Sequence, residues 1–261
     1  MAVIEFQQVT KSYGDGDVLK GLDLQVEQGE FITLLGESGC GKTTLLKIIN
    51  GMIPFDTGYV KVGDRFLSEW NIVELRRQIG YVIQHIGLFP HMTVGENIAY
   101  VLSIQNEPRK LQQERAEELV HLVGLPAEFL ARYPRELSGG QKQRVGVARA
   151  LAAKPEIILM DEPFGAVDER TRNQLQEEMR LIHEQLKNTI LFVTHDIQEA
   201  MKLGSRVVLM NQGIIEQTGT PEDLVMRPAN DFVREFLGSN GFLALLDPET
   251  VSRMYREAME N

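Results

Sequence analysis

Apolar and polar positions alternate in the early stretches of this chain. Val3-Ile4-Glu5-Phe6-Gln7-Gln8-Val9 alternates loosely and Leu22-Asp23-Leu24-Gln25-Val26 strictly, the period-two pattern of strands with one buried face. Tyr59-Val60-Lys61-Val62, closed by Gly63-Asp64, continues it. These segments predict an antiparallel β layer. Other runs are apolar without alternation. Phe31–Leu35, Ile79–Ile83, Thr189–Thr194 and Val207–Met210 read as buried strands, with Gly213–Glu216 returning after an Asn211-Gln212-Gly213 turn. Glu156–Glu162, whose apolar run closes on two carboxylates, has the composition of a central parallel strand buried on both faces.

A helical period replaces both patterns elsewhere. Leu111–Val123 places Ala116, Leu119, Val120 and Val123 on one face. Thr93 and Glu96 form a capping box that starts a helix from about Val94 to Ser103. Ser138 caps a helix from Gln141 to Ala153, and Thr220-Pro221 opens another with Thr at the cap and Pro at the first turn. Thr44–Asn50 and Glu169–Leu186 complete the predicted helices. The segment from His85 to Arg135 is helical between core strands and reads as an inserted lobe. The tail from Phe242 to Asn261 reads as an amphipathic helix after Asp247-Pro248.

Composition narrows the classes. The chain has 261 residues, 43% hydrophobic and 25% charged, the profile of a globular protein. Its net charge of −10 argues against general nucleic-acid binding. No apolar run is long enough to span a bilayer, and residues 1–6 lack a signal-peptide pattern. Cys40 is the single cysteine, so an intrachain disulfide is impossible and a reducing cytoplasm suits the chain.

The chemistry concentrates at Gly36-Glu37-Ser38-Gly39-Cys40-Gly41-Lys42-Thr43, followed by Thr44. This fits G-x-x-x-x-G-K-[ST], a phosphate-binding loop, with a strand before it and a helix after it. Glycines let the backbone turn its N–H groups inward, and the helix N-terminus adds positive potential. Lys42 supplies a point charge for the outer phosphates, and the Thr43 hydroxyl can ligate Mg²⁺. Asp161 and Glu162 end the apolar strand, where sheets of this type bind ligands. Asp161 is placed for Mg²⁺ and Glu162 to polarise an attacking water. Gln84 and His195 end two further strands; each is a polar cap or a member of the same site. Tyr13 is either a surface aromatic in a loop or a platform for adenine. Ser138, Gly139 and Gly140 are either a helix start with a flexible entry or a second anion site at a helix N-terminus. Cys40, beside Lys42, is expected to be an alkylation target whose modification blocks ATP binding.

These pieces together resemble the nucleotide-binding subunits of ATP-binding cassette transporters. The resemblance covers about residues 2–237 and rests above all on Leu137-Ser138-Gly139-Gly140-Gln141 placed shortly before Ile157–Glu162. It implies an α/β P-loop NTPase core with a mostly parallel sheet, an antiparallel β layer and a helical lobe at about residues 86–155. The nucleotide-binding domain would span 1–237 and a helical tail 238–261. The resemblance implies that Tyr13 stacks on adenine, that residues Gly36 to Thr44 wrap the phosphates of ATP, and that Asp161 supports Mg²⁺. Glu162 would be the general base, His195 would contact the γ-phosphate, and Gln84 would meet Mg²⁺ and the attacking water. Ser138 and Gly140 would contact a γ-phosphate held by a second copy in a head-to-tail dimer. Asp168 would lie in the loop crossing that interface; Val167 stands where Leu is commoner.

The stretch Gln84–Thr93 is similar to ATPases of osmoprotectant importers for glycine betaine, carnitine or choline. Such proteins work at the cytoplasmic face of the membrane with permease subunits and, indirectly, a solute-binding protein. Leu88, Phe89 and Met92 look exposed and would receive a short permease helix. Many osmoprotectant ATPases continue into regulatory CBS modules. The sequence ends at Asn261, so that regulator is expected to be absent or removed.

Overall fold

The computed structural model describes residues 2–246 other than Asp15, His85, Ile86 and Ala166. In chain order the elements are β1 (Ala2–Tyr13), β2 (Gly16–Glu27), β3 (Phe31–Leu35), α1 (Lys42–Ile49), β4 (Thr57–Val62) and β5 (Arg65–Phe66). Next come α2 (Ile72–Gln78), β6 (Ile79–Val82), α3 (Val94–Ile104), α4 (Arg109–Leu122), α5 (Gly139–Leu151) and β7 (Ile157–Asp161). The chain continues through α6 (Glu169–Leu186), β8 (Thr189–Thr194), α7 (Ile197–Leu203), β9 (Arg206–Asn211), β10 (Ile214–Gly219), α8 (Pro221–Met226) and α9 (Asp231–Leu245).

Two sheets form. The alternating segments pair antiparallel in the order β2-β1-β4-β5, and the continuous apolar runs form the sheet β10-β9-β3-β8-β7-β6. The neighbours from β9 to β6 are parallel, and β10 joins antiparallel at the edge. The physical reason for continuous hydrophobicity is visible in β7 and β8. Ile158, Met160, Ile190 and Phe192 face the core shared with the helical lobe. Ile157, Leu159, Leu191 and Val193, their alternates, face the core shared with the antiparallel sheet. A sheet covered on both sides has no solvent face to mark with polar residues.

The lobe is α3, α4 and α5, packed through Val94, Ile98, Leu119, Val120 and Val145, all fully buried. Its entry is fixed by the Thr93–Glu96 capping box. Arg115 spans the lobe from α4 and donates to the carbonyls of Leu151 and Ala152 at the end of α5.

β6 does not lie beside β3; β8 and β7 stand between them, because the chain returns to the sheet centre after the lobe. Two expectations change. Leu88, Phe89 and Met92 are half-buried: Phe89 packs on Tyr100 with ring centroids 4.4 Å apart, and Leu88 joins the lobe core. The last helix starts at Asp231, ahead of the expected tail, and bends at Gly238; the tail expected beyond Leu246 lies outside the described residues.

The loop of Leu88 to Thr93 owes its form to Asn97. This side chain is fully buried. Its Oδ1 accepts from the Phe89 N–H, and its Nδ2 donates to the carbonyls of Phe89, Met92 and Thr93 at 2.9–3.2 Å. Asn97→Leu leaves those groups unpaired, and the expected cost is about 1–3 kcal/mol of stability. Urea denaturation measures this; an unchanged midpoint would sink the assignment.

Candidate active site

The phosphate-loop sequence runs from β3 into α1. Gly36 (φ 151°) and Gly41 (φ 110°) carry the tight backbone. A Cβ on Gly36 would stand 2.2 Å from the Met210 carbonyl oxygen, and one on Gly41 would stand 2.8 Å from Leu19 Cδ2. Neither position accepts a side chain without displacing a neighbour. Glu37, Ser38 and Gly39 form the exposed rim of the loop. Lys42 is 4% exposed and folds back beneath it, donating from Nζ to the carbonyls of Gly36 (2.7 Å) and Glu37 (2.8 Å). The loop is therefore held around an ammonium group before any phosphate arrives. Thr43 and Thr44 stand half-buried in the first turn of α1.

Cys40 departs from its expected role. Its side chain is buried among the residues of the antiparallel-sheet core, and Lys42 Nζ lies 3.7 Å from its sulfur. The thiol is turned away from solvent, so the accessible alkylation target read from its place in the loop is not there.

The second group of residues comes from strand ends. Parallel pairing aligns Leu35 with Thr194, Val193 with Asp161, and Met160 with Val82. The carboxyl ends of β3, β8, β7 and β6 thus form one rim, carrying the phosphate loop, His195, Asp161-Glu162 and Gln84 side by side. This is where parallel sheets present ligand sites. Gln84 reaches the site through its place after β6, next to β7.

On that rim Thr43 Oγ1 donates to Asp161 Oδ1 at 2.8 Å, joining the loop to the acidic strand end. Glu162 has φ 44°, in the left-handed region and uncommon for a non-glycine residue; its N–H is held by the Val193 carbonyl at 3.0 Å. The bend aims its carboxylate between two partners. Gln84 Nε2 donates to Glu162 Oε2 at 3.2 Å, and His195 Nδ1 lies 3.4 Å from the same oxygen. Backbone strain held in place by surrounding structure is a feature of functional sites.

Asp161 is 8% exposed. Burial pushes its carboxyl above the usual range, Thr43 opposes this, and the charge of Glu162 adds to it. The ionised form is thus disfavoured in the folded protein relative to the unfolded chain. The stability lost to ionisation is nil below the unfolded pKa and grows as pH rises toward the raised folded value. Asp161→Asn keeps an oxygen for Thr43 and removes the charge. It is expected to raise the melting temperature of the nucleotide-free protein at pH 7, with the gain vanishing below about pH 4. An Asp161→Asn protein that melts lower at pH 7 contradicts this.

The remaining expected site residues lie apart. Tyr13 is the last residue of β1, half exposed, with Lys11 Nζ 5.4 Å from its ring centre; the turn begins after it. Ser138 is exposed and caps α5, exchanging hydrogen bonds with Gln141. Gly140 sits against α6: a Cβ there would stand 2.5 Å from Thr171 Cγ2. Asp168 caps α6 by accepting from the Thr171 N–H at 3.1 Å; the Thr171 hydroxyl first, and then this N–H, lower its pKa. The other end of α5 touches β6, where a Cβ on Gly80 would stand 2.5 Å from the Ala150 carbonyl. Thirteen helical residues at 1.5 Å each put Ser138 roughly 20 Å along the helix from that end.

Sequence reasoning passed over Glu199 and Gln176, both buried, and the half-buried Arg172, which form a polar group behind His195. The available signal was Asp196, a cap residue directly after the His195 strand end, followed by an acid in the first turn.

A family profile described as ABC transporter matches residues 19–165. The glycine betaine/carnitine/choline transport ATP-binding protein OpuCA of Bacillus subtilis is 49% identical over 254 residues, 97% of this chain and 67% of that protein. The carnitine transport ATP-binding protein OpuCA of Listeria monocytogenes is 50% identical over 91% of this chain, and its own length is 60% covered. The glycine betaine uptake system ATP-binding protein YehX of Escherichia coli is 49% identical over 90% of this chain and 77% of that protein. The chain thus spans between 60% and 77% of these relatives. Among solved structures, a dimeric post-hydrolysis state of the ATP-binding cassette MJ0796 bound to ADP and Pi superposes with a TM-score of 0.75 at 32% identity, over 83% of this chain and 98% of that one. With the cassette fold, the phosphate loop and relatives at half identity in agreement, this chain belongs to the ABC transporter family.

Proposed function

We propose that this chain is the ATP-binding and ATP-hydrolysing subunit of an importer for quaternary-amine osmoprotectants such as glycine betaine, carnitine or choline. The observation that carries the catalytic part is the convergence of Gln84 and His195 on Glu162, the residue next to Asp161 of the Thr43–Asp161 pair. The residues around Thr43 fit Mg²⁺. A hydroxyl, an amide and a buried carboxylate are oxygen donors for a hard cation that takes few protein ligands and completes its shell with phosphates and water. Bound there, the ion neutralises charge on the β- and γ-phosphates.

The chain's own residues supply the rest. The N–H groups of Gly36 to Thr44 cradle the phosphates, and Lys42 exchanges its loop carbonyls for phosphate oxygens. Glu162 takes a proton from the attacking water, which Gln84 helps to orient. His195 lies beside Glu162 to meet the γ-phosphate. Tyr13 stacks on adenine. Ser138 and Gly140 serve the γ-phosphate of a second copy, with Asp168 at the crossing. The exposure of Ser138 and its place along α5 support a site completed by a head-to-tail partner, as do the dimeric cassettes of similar fold.

The subunit works bound to a permease at the cytoplasmic membrane face; among the described residues no helix is long and apolar enough to cross a membrane. The permease sets the solute, since no ATPase residue contacts it, and a solute-binding protein acts indirectly. The names of the first relatives support osmoprotectants. A second reading, another small solute, is favoured by relatives at 45% and 44% identity described as sulfate/thiosulfate and sn-glycerol-3-phosphate import ATP-binding proteins. The test is uptake into vesicles carrying this subunit and its copurifying permease. ATP-dependent accumulation of labelled glycine betaine, carnitine or choline is the expected result. Accumulation of sulfate or glycerol-3-phosphate instead supports the second reading.

A further inference from the structure

Behind Glu162 lies a polar cavity of about 50 Å³, bordered by Glu162, Arg172, Thr194, His195, Asp196 and Glu199. The His195 side chain is 59% exposed, so packing does not fix it; its backbone turn does. That turn is held from both sides by one hydroxyl. Thr194 Oγ1 accepts from the Asp196 N–H at 3.0 Å and donates to Glu199 Oε2 at 2.6 Å. Asp196 in turn caps α7, accepting from the N–H groups of Gln198 and Glu199.

Glu199 is 5% exposed. Its other oxygen accepts from Gln176 Nε2 at 3.3 Å and lies 3.8 Å from Arg172 Nε. Arg172 also stands 3.6 Å from Asp196 and donates to the Val167 carbonyl at 3.4 Å. One guanidinium therefore touches the turn of His195, the acid behind it and the residue before Asp168. Glu199 is buried while the Arg172 side chain is 30% exposed. A carboxylate taken out of water beside a partner 3.8 Å away is a poor source of stability compared with apolar packing, so the fold alone does not account for this group.

We propose that Glu199 and Arg172 are positioning residues: they hold the His195 turn against Glu162 and tie it to the Val167-Asp168 segment. The segment facing the partner subunit and the side chain facing the γ-phosphate are then set together. This rests on the roles of His195 and Asp168 proposed above.

A double-mutant cycle on phosphate release tests it. Glu199→Ala is expected to lower kcat about tenfold with KM for ATP within about twofold, a loss confined to the transition state. In a His195→Ala background the same change is expected to cost less than about twofold, because residues acting as one unit are not additive. Glu199→Gln keeps the side-chain shape and an acceptor for Thr194, and serves if the alanine variant fails to fold; its kcat is expected to fall several-fold with KM preserved. Glu199 variants at parental kcat, or losses that multiply in the double variant, overturn the proposal. His195→Ala at parental kcat overturns the underlying reading of His195, and that arm needs no Glu199 variant.

Discussion

Glu162→Gln is expected to lower ATP turnover by on the order of 10²-fold or more, the range for loss of a general base, while nucleotide binding survives. The substitution preserves shape. An amide oxygen can still accept from Gln84 Nε2, and the Val193 carbonyl still holds the residue's N–H. What disappears is the ability to take a proton from water. Lys42 and the Thr43–Asp161 pair, proposed to meet the phosphates in the ground state, are untouched. On the proposed head-to-tail arrangement the unhydrolysed γ-phosphate is expected to persist between Lys42 of one copy and Ser138 of the other, and the variant to accumulate as an ATP-bound dimer. Size exclusion with Mg-ATP beside a phosphate-release assay reads both effects. Turnover at the parental rate removes Glu162 from the role of base.

Lys42→Ala acts one step earlier. Nζ is buried and bonded to the carbonyls of Gly36 and Glu37. Its loss removes the charge for the outer phosphates and leaves two loop carbonyls to water or to nothing. Charge-assisted hydrogen bonds are worth about 1.5–3 kcal/mol each, so affinity for Mg-ATP is expected to fall at least about tenfold. Ligand binding stabilises the native state by mass action; the rise in melting temperature with Mg-ATP should therefore vanish at concentrations that saturate the parent. An unchanged rise contradicts this role for Lys42.

The phosphate loop was legible because its chemistry is contiguous: Gly36 to Thr43 carry glycines, ammonium and hydroxyl within one turn. Asp161, Glu162 and His195 were legible because each ends an apolar run, and such runs end at one rim of a parallel sheet. Strand order was not legible. Nothing in Ile79–Val82 says that two strands separate it from Phe31–Leu35; the pairing does. Nor were α2 and α7, at seven residues each, since so short a stretch hardly displays a helical period. Asn97, Arg172 and Glu199 were missed for a related reason. A polar residue in an amphipathic helix reads as solvated until the fold places a partner over it. The direction of the Cys40 thiol was hidden too, because loop backbone decides which side chains turn inward.

The central claim is that each ATP is hydrolysed between the phosphate loop of one copy and the Ser138 turn of another. Mixing two inactive variants tests it most directly. Lys42→Ala disables the loop, and Ser138→Asp preserves a good helix cap while setting a negative charge against the phosphate. A mixed dimer of the two holds one doubly damaged site and one intact site. Phosphate release from the mixture, well above that of either variant alone, is the predicted result. A mixture no more active than its parts would place the whole site within one subunit and contradict the account.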